Sequence, residues 1–262
     1  MSLKLVKVGG SVISRESSTD KYESGVVKRI ARELQPYKQG LVLVHGTGYV
    51  GKPPAIAYGY YQSGLTSRKD ALAMLGIKQE LRLLNHRFCE TMLEQGIPIM
   101  PFGISHLFTP EMDRVEEGGK TELTRVISNG FVPVFYGDLI LCDDGCFKVF
   151  SSDIITLLLS QVLQPEKVLF LSDVAGVFNT KKQHDEPETQ SIINELTPEI
   201  AASLEQSGND QRDVSGGMSA KIGCAFEISS NAGSCFIGSG NTPGIIDGFM
   251  QGQEVVGTYI RT

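Results

Sequence analysis

The sequence lacks the features that mark membrane, secreted or nucleic-acid-binding proteins. No uninterrupted apolar run approaches the ~20 residues that span a bilayer. The opening MSLKLVKVGGSVIS carries charges within its apolar run, unlike a secretion signal or a transit peptide. The 24 Lys and Arg residues are scattered and the net charge is −6, which disfavours binding to a nucleic-acid backbone. We therefore expect a cytoplasmic protein that binds neither membrane nor nucleic acid.

The cysteines do not form an even, regularly spaced set. There are five, at Cys89, Cys142, Cys146, Cys224 and Cys235, and this pattern predicts reduced thiols in a reducing compartment. Cys142 and Cys146 enclose Asp-Asp-Gly, a spacing open to a metal or redox site. A hairpin turn, with the two cysteines facing each other across short strands, fits the Asp-Asp-Gly better.

The common nucleotide-binding signatures are also missing. The sequence has no G-x-x-x-x-G-K-[ST], which excludes a P-loop NTPase. It also lacks the protein-kinase motif set, which excludes a protein kinase. Gly46 to Gly51 matches the letters of the Rossmann fingerprint. Because Lys52-Pro53-Pro54 follows, we expect no helix to continue there.

What the chain does have is a regular alternation of strand and helix patterns. Buried strands are predicted at 3–8, 41–44, 97–102, 131–135, 167–171, 235–237 and 255–259, a hairpin at 139–150, and helices at 22–34, 70–93, 154–163 and 218–229. Ser152-Asp153 is the predicted N-cap of the third of these helices. Residues 205–217 are polar and Gly-rich and predict a loop. The alternation indicates an α/β protein with a mostly parallel sheet.

Small and polar residues follow several of these strands. The clusters are Gly9-Gly10-Ser11, His45-Gly46-Thr47-Gly48, Gly137-Asp138, and Ser172-Asp173 with Gly176 close behind. Ligands of open parallel sheets bind beyond the carboxyl ends of the strands. Backbone N–H groups and helix N-termini at that edge can hold phosphate oxygens. The sequence therefore predicts an anion site there.

These segments resemble the amino-acid-kinase superfamily. The matching motifs are Lys7-Val-Gly-Gly-Ser11, His45-Gly-Thr-Gly48, Ser151-Ser-Asp153, Ser172-Asp-Val-Ala-Gly-Val177 and Asp213-Val-Ser-Gly-Gly-Met-Ser-Ala-Lys221, in the family's order over nearly the whole chain. Residues 51–59 and 213–221 look most like isopentenyl phosphate kinases. Ser14-Arg15 and Phe150-Ser-Ser-Asp153 are also similar to fosfomycin kinase.

The resemblance implies a three-layer α-β-α sandwich with a mostly parallel central sheet. It implies a single domain over residues 1–262, in which a lobe to about residue 152 binds the acceptor and a lobe from about residue 153 binds the nucleotide. It also implies a homodimer acting on a small anionic substrate, with ATP and Mg²⁺ as cofactors. Mg²⁺ would arrive on the nucleotide phosphates and need no dedicated protein ligands.

The resemblance further implies direct transfer of the γ-phosphoryl group without a covalent enzyme intermediate. Lys7 would bridge the transferring group, Lys221 would hold the β- and γ-phosphates, and Asp153 would orient the lysines. The nucleotide would contact Gly9, Gly10, Ser11, Thr47, Gly48, Ser172, Asp173, Gly176, Phe178, Gly216 and Lys221. The acceptor would contact Gly46, Gly48, Lys52, Tyr60, Ser152 and Asp153.

Two positions depart from the family pattern. Lys52 stands where isopentenyl phosphate kinases have the last histidine of the glycine loop, and Glu16 stands where they have a second lysine. Arg15 and Lys21 are the candidates for the missing charge. The cation at Lys52 favours an anionic acceptor.

These departures leave three hypotheses. The first is a kinase for a small monophosphate, with isopentenyl phosphate as the leading acceptor. The second is a kinase for a phosphonate, alcohol or carboxylate. The third is a nucleotide or metabolite sensor on the same fold with little catalysis. Loss of the family histidine and second lysine favours this hypothesis, and retention of Lys7, Asp153 and Lys221 opposes it.

Overall fold

The computed structural model describes residues 2–58, 70–104, 107–108, 114–142, 145–181, 189–206 and 217–262. The strands are β1 Lys4–Val8, β2 Leu41–His45, β3 Ile99–Pro101, β4 Val132–Tyr136, β5 Asp138–Leu141, β6 Phe147–Phe150, β7 Lys167–Ser172, β8 Phe178–Lys181, β9 Thr189–Ile192, β10 Glu195–Leu196, β11 Ser234–Ser239 and β12 Gly257–Ile260. The α-helices are α1 Gly10–Ile13, α2 Ser24–Leu34, α3 Gly48–Ala57, α4 Ala71–Glu94, α5 Glu117–Ser128, α6 Ser152–Leu163, α7 Pro198–Gln206, α8 Gly217–Asn231 and α9 Ile245–Gln251.

An eight-stranded sheet forms the centre of the protein, in the order β10-β12-β11-β7-β1-β2-β4-β3. The strands from β11 to β3 pair in parallel, and β12 joins β11 in the antiparallel sense. The prediction of a mostly parallel α/β sheet is therefore confirmed. The central strands read as unbroken apolar runs because both of their faces are covered.

The two faces of the sheet carry separate apolar cores. Side chains alternate along each strand, so Val6 and Val8 of β1 join one core while Leu5 joins the other. The first core takes residues from α2, α4 and α9, and the second takes residues from α5, α6 and α8. Helices on both sides of one sheet make the expected three-layer sandwich.

The expectation that the two prolines would exclude a helix after Gly46 was wrong. Helix α3 runs from Gly48 to Ala57 and contains Pro53 and Pro54. Proline has a φ that suits a helix, and its cost lies in the missing N–H bond and a clash with the preceding turn. Tertiary packing offsets that cost here, because Val50 is buried in the first core and Gly51 lies against Leu81.

The predicted hairpin is present, and its cysteines flank the turn. Strands β5 and β6 pair antiparallel, and the N–H of Cys142 donates to the carbonyl of Cys146 at 2.8 Å. All five cysteines are free thiols.

Of the predicted loop at 205–217, the structure describes only its two ends, where α7 stops and α8 begins. The division into two lobes stays a prediction. No helix in the described ranges has the length and apolar character needed to cross a membrane.

Strand β7 offers a direct test of the core. Leu169 is fully buried, whereas Leu93 on α4 is 55% exposed. We expect Leu169→Ala to lower the free energy of unfolding by about 2–5 kcal/mol, because it removes buried methyl groups and leaves a cavity. Leu93→Ala, the same chemical change at an exposed helical position, should change it by less than about 0.5 kcal/mol. Urea unfolding measures both, and equal effects would contradict this account of the core.

Candidate active site

A buried ion pair lies at the carboxyl end of the central strand. Lys7 is in β1, between β7 and β2, and its side chain is only 5% exposed. Its Nζ donates to Oδ1 of Asp153 at 2.8 Å. A buried ammonium group without a partner is strongly unfavourable, so Asp153 is what allows a lysine at this position. The structure therefore brings together two of the three predicted catalytic residues.

The start of helix α6 leaves Asp153 free for this contact. The N-cap is Ser151, whose Oγ accepts the N–H of Ile154 at 3.2 Å, so the predicted cap at Ser152-Asp153 was wrong. Asp153 lies in the first turn instead, where the helix dipole favours a negative charge. The predicted substrate contact Ser152 is buried beside it.

The Gly9-Gly10 turn and the loop after β2 touch each other through their backbones. A Cβ on Gly10 would lie 2.3 Å from the N of Gly48, and one on Gly46 would lie 2.4 Å from the N of Gly10. Gly48 also has a φ of +52°, which side chains rarely adopt. Glycine is therefore required by geometry, and the loop presents backbone rather than side chains at this edge.

The carboxyl end of β7 carries the predicted nucleotide residues. Ser172 is buried, and its Oγ contacts Oδ1 of Asp173 at 3.3 Å and Nζ of Lys221 at 3.2 Å. Cys224 lies one turn after Lys221 on α8. Burial and then the charge of Asp153 raise the pKa of the Cys224 thiol to about 11, while Lys7 lowers it. Because the charges of Asp153 and Lys7 both act on the Cys224 thiol, helix α8 lies beside the ion pair.

The remaining predicted residues lie around these groups or outside the described residues. Ser11 is exposed in α1, Thr47 is the residue before α3, and Lys52 is exposed on α3. Gly176 packs against Thr258 of β12, and Phe178 begins β8. Tyr60 and Gly216 fall outside the described residues.

The surroundings of Glu16 explain part of the departure from the family pattern. Its Oε1 accepts the hydroxyl of Tyr49 at 2.8 Å, and the Nζ of Lys21 lies 5.5 Å from the centre of the Tyr49 ring. Arg15 is directed elsewhere, because its Nε donates to the carbonyl of Ser11 at 2.9 Å and an Nη contacts Oδ1 of Asn241 at 3.3 Å. Arg15 thus lies between the glycine turn and the end of β11.

Sequence reasoning missed a row of polar residues on α4. Lys78, Arg82 and Asn85 follow each other at helical spacing, and their partners lie at the start of β5 and at the ends of β4 and β2. Lys78 pairs with the buried Asp138, Arg82 bonds to Tyr136, and Asn85 bonds to His45. The spacing of the three polar residues within an apolar helix was the only available signal, since their partners are distant in sequence.

The described residues contain no group of three or more His, Cys, Asp or Glu side chains suited to hold a metal ion. Asp153 is engaged by Lys7, and the carboxylate of Asp173, directly after β7, is exposed. This donor set fits a cation that keeps most of its ligands from water and phosphate.

The comparisons with known proteins agree with the geometry. The Amino acid kinase family matches residues 2–239. Isopentenyl phosphate kinase of Methanothermobacter thermautotrophicus is 30% identical over 98% of both chains. The enzyme of the same name from Thermoplasma acidophilum is 26% identical over 99% of this chain and 100% of its own.

A solved structure supports the same assignment. It is an X-ray structure of isopentenyl phosphate kinase that is 27% identical in sequence. The match covers 99% of this chain and 100% of that one, with a TM-score of 0.79. The family match spans most of the sequence, and the fold, the motif order and the glycine-lined edge all agree with it. The chain belongs to the amino acid kinase family.

Proposed function

We propose that the protein is an ATP-dependent small-molecule kinase that transfers the γ-phosphoryl group of ATP to isopentenyl phosphate. The observation that carries this proposal is the Lys7–Asp153 pair, which sets a buried cation beside the closely packed backbone of Gly10, Gly46 and Gly48. Full-length similarity to enzymes named isopentenyl phosphate kinase supports the acceptor. Lys52, an exposed cation on α3, suits a phosphorylated acceptor.

The reaction needs positioning and neutralisation of charge more than covalent chemistry. An oxygen of the acceptor phosphate forms a bond to the γ-phosphorus, and the bond from that phosphorus to the β,γ-bridging oxygen breaks, releasing ADP. Lys7 stabilises the charge on the transferring group, and Asp153 holds Lys7 in place. The N–H groups of Gly10 and Gly48 face the same group. The N–H of Gly9, predicted to do so as well, instead donates to the carbonyl of Leu171 at 2.7 Å.

On the nucleotide side, Lys221, Ser172 and Asp173 contact the phosphates and ribose. Their mutual contacts at the end of β7 support a common role. Mg²⁺ would arrive with ATP and neutralise charge on its phosphates, with the exposed Asp173 as the nearby protein carboxylate. The N-terminal lobe binds the acceptor and the C-terminal lobe binds the nucleotide.

The proposal extends to a homodimer, supported by the family resemblance. It also extends to a cytoplasmic location, which free cysteines suit because reduced thiols persist in a reducing compartment.

A coupled ADP-release assay tests the acceptor. MgATP is offered with isopentenyl phosphate, dimethylallyl phosphate, fosfomycin, isopentenol, glutamate or no acceptor. We expect turnover that depends on isopentenyl phosphate, with isopentenol far less active because it lacks the anion that Lys52 and the loop bind. Turnover with glutamate or fosfomycin alone would assign a different acceptor, and ATP binding without any turnover would support a sensor.

Lys7 should act on the chemical step. We expect Lys7→Met to lower kcat by roughly 10²-fold or more, as loss of a preorganised charge at the transition state does. Lys4→Met, in the same strand but at its amino end, should leave kcat within about twofold. Steady-state kinetics with a melting curve for each variant make the comparison. A Lys7→Met protein that folds and keeps its kcat would disprove the role.

Lys52 should act on acceptor binding. We expect Lys52→Ala to raise the KM for isopentenyl phosphate by up to about fivefold, since an exposed charge contact contributes roughly 0.2–1 kcal/mol. The KM for ATP should stay constant. Lys28→Ala, an exposed lysine on α2, is the control. The effect should shrink in high salt, and an unchanged acceptor KM would remove Lys52 from the acceptor site.

A further inference from the structure

His45, the last residue of β2, is fully enclosed and touches the glycine loop. Its Nδ1 lies 2.9 Å from the carbonyl oxygen of Gly46, and its Nε2 lies 3.0 Å from Oδ1 of Asn85 on α4. The ring stacks on Tyr136 with centres 5.6 Å apart and lies 4.7 Å from the ring of Phe88. These contacts fix the plane of the imidazole.

The two ring nitrogens both face oxygen atoms, and a neutral imidazole has only one N–H. Burial lowers the pKa of His45, which favours the neutral ring. The Gly46 carbonyl belongs to the backbone and cannot turn, whereas the Asn85 amide can exchange its oxygen and nitrogen by rotation. Nδ1 therefore carries the hydrogen and donates to Gly46, and Nε2 accepts from the Asn85 amide. The second hydrogen of that amide then faces Sγ of Cys89, which lies 3.7 Å from the same Asn85 atom that contacts Nε2.

The tautomer sets the direction of the next peptide N–H. The Gly46–Thr47 peptide is trans, so when its carbonyl points to His45 the Thr47 N–H points the opposite way. The N of Thr47 lies beside the glycine turn, since a Cβ on Gly10 would lie 3.0 Å from it. Within the described residues, no backbone carbonyl accepts from the N–H of Thr47 or Gly48.

We infer that His45 is a positioning residue that aims the Thr47 and Gly48 N–H groups at the phosphate group of a substrate. Its Nδ1–H holds the Gly46 carbonyl, and Asn85 holds its Nε2. The inference rests on the proposed function and deepens it, because the motif resemblance gives His45 no role. His45 acts through the peptide and does not touch the substrate. The Gly46 carbonyl selects the tautomer, and Asn85 on α4 supports it by donating to Nε2.

The tautomer is measured in the wild-type protein, without any variant or substrate. Two-dimensional ¹⁵N–¹H NMR of the histidine rings at pH 7 should show His45 neutral, with the hydrogen on Nδ1. A hydrogen on Nε2, or a charged ring, overturns the inference. Because this readout needs no turnover, it stands apart from the test of the proposed kinase activity.

A matched pair of variants tests the consequence. Asn places its amide nitrogen close to the Nδ1 position of histidine, and Gln places it close to the Nε2 position. We expect His45→Asn to keep kcat within about fivefold and His45→Gln to lose tenfold or more, at similar melting temperatures. His86→Asn and His86→Gln, at an exposed histidine of α4, are the controls. Equal losses at position 45 indicate a packing role only and overturn the inference.

A binding readout covers the case in which the wild type shows no turnover. A non-hydrolysable ATP analogue is titrated with Mg²⁺ while the backbone amide signals of Thr47 and Gly48 are followed. Downfield shifts of both amides in the wild type, reduced in His45→Gln and kept in His45→Asn, support the inference. Unchanged amide signals on saturation, or shifts that are the same in both variants, overturn it.

Discussion

Lys7 and Asp153 form an ion pair in which the charge of the buried Lys7 is unfavourable without its partner. The pair joins strand β1 to helix α6 across 146 residues of sequence at a distance of 2.8 Å. It requires α6 to begin with its first turn facing the end of β1, which the Ser151 cap provides. The burial of the lysine and the start of the helix are thus linked by one contact.

The second constraint is the close approach of two backbones at the same edge. Gly10, Gly46 and Gly48 pack so tightly that any side chain at these positions would overlap a neighbouring main-chain atom. Together the ion pair and the glycines form an edge made of one buried cation and closely packed backbone. In the proposed function this edge recognises the charge and shape of a phosphoryl group, and helices α3 and α4 decide which molecule carries it.

The sequence allowed much of the fold to be predicted, because buried parallel strands read as apolar runs and each ended in a glycine or polar cluster. Strands β1, β2, β4 and β7 are neighbours in the sheet, which brings those clusters to one edge as expected.

Helix α3 could not be predicted, since local propensity counts against Pro53 and Pro54 and only packing on α4 outweighs it. The cap was misplaced because Ser151, Ser152 and Asp153 all suit the position. The His45–Asn85 and Lys78–Asp138 contacts depend on residues 40 and 60 positions apart, which no local pattern reports. The roles of the individual site residues stay predictions.

The central claim is that the transferring phosphoryl group lies between Lys7 and the loop after β2. A crystal structure with a non-hydrolysable ATP analogue, Mg²⁺ and isopentenyl phosphate tests it most directly. The account predicts the terminal phosphate of the analogue within hydrogen-bonding distance of the Lys7 Nζ and of the Gly48 N–H, with the acceptor phosphate on the α3 side. A terminal phosphate bound away from Lys7, with the Lys7–Asp153 pair facing neither substrate, would contradict it.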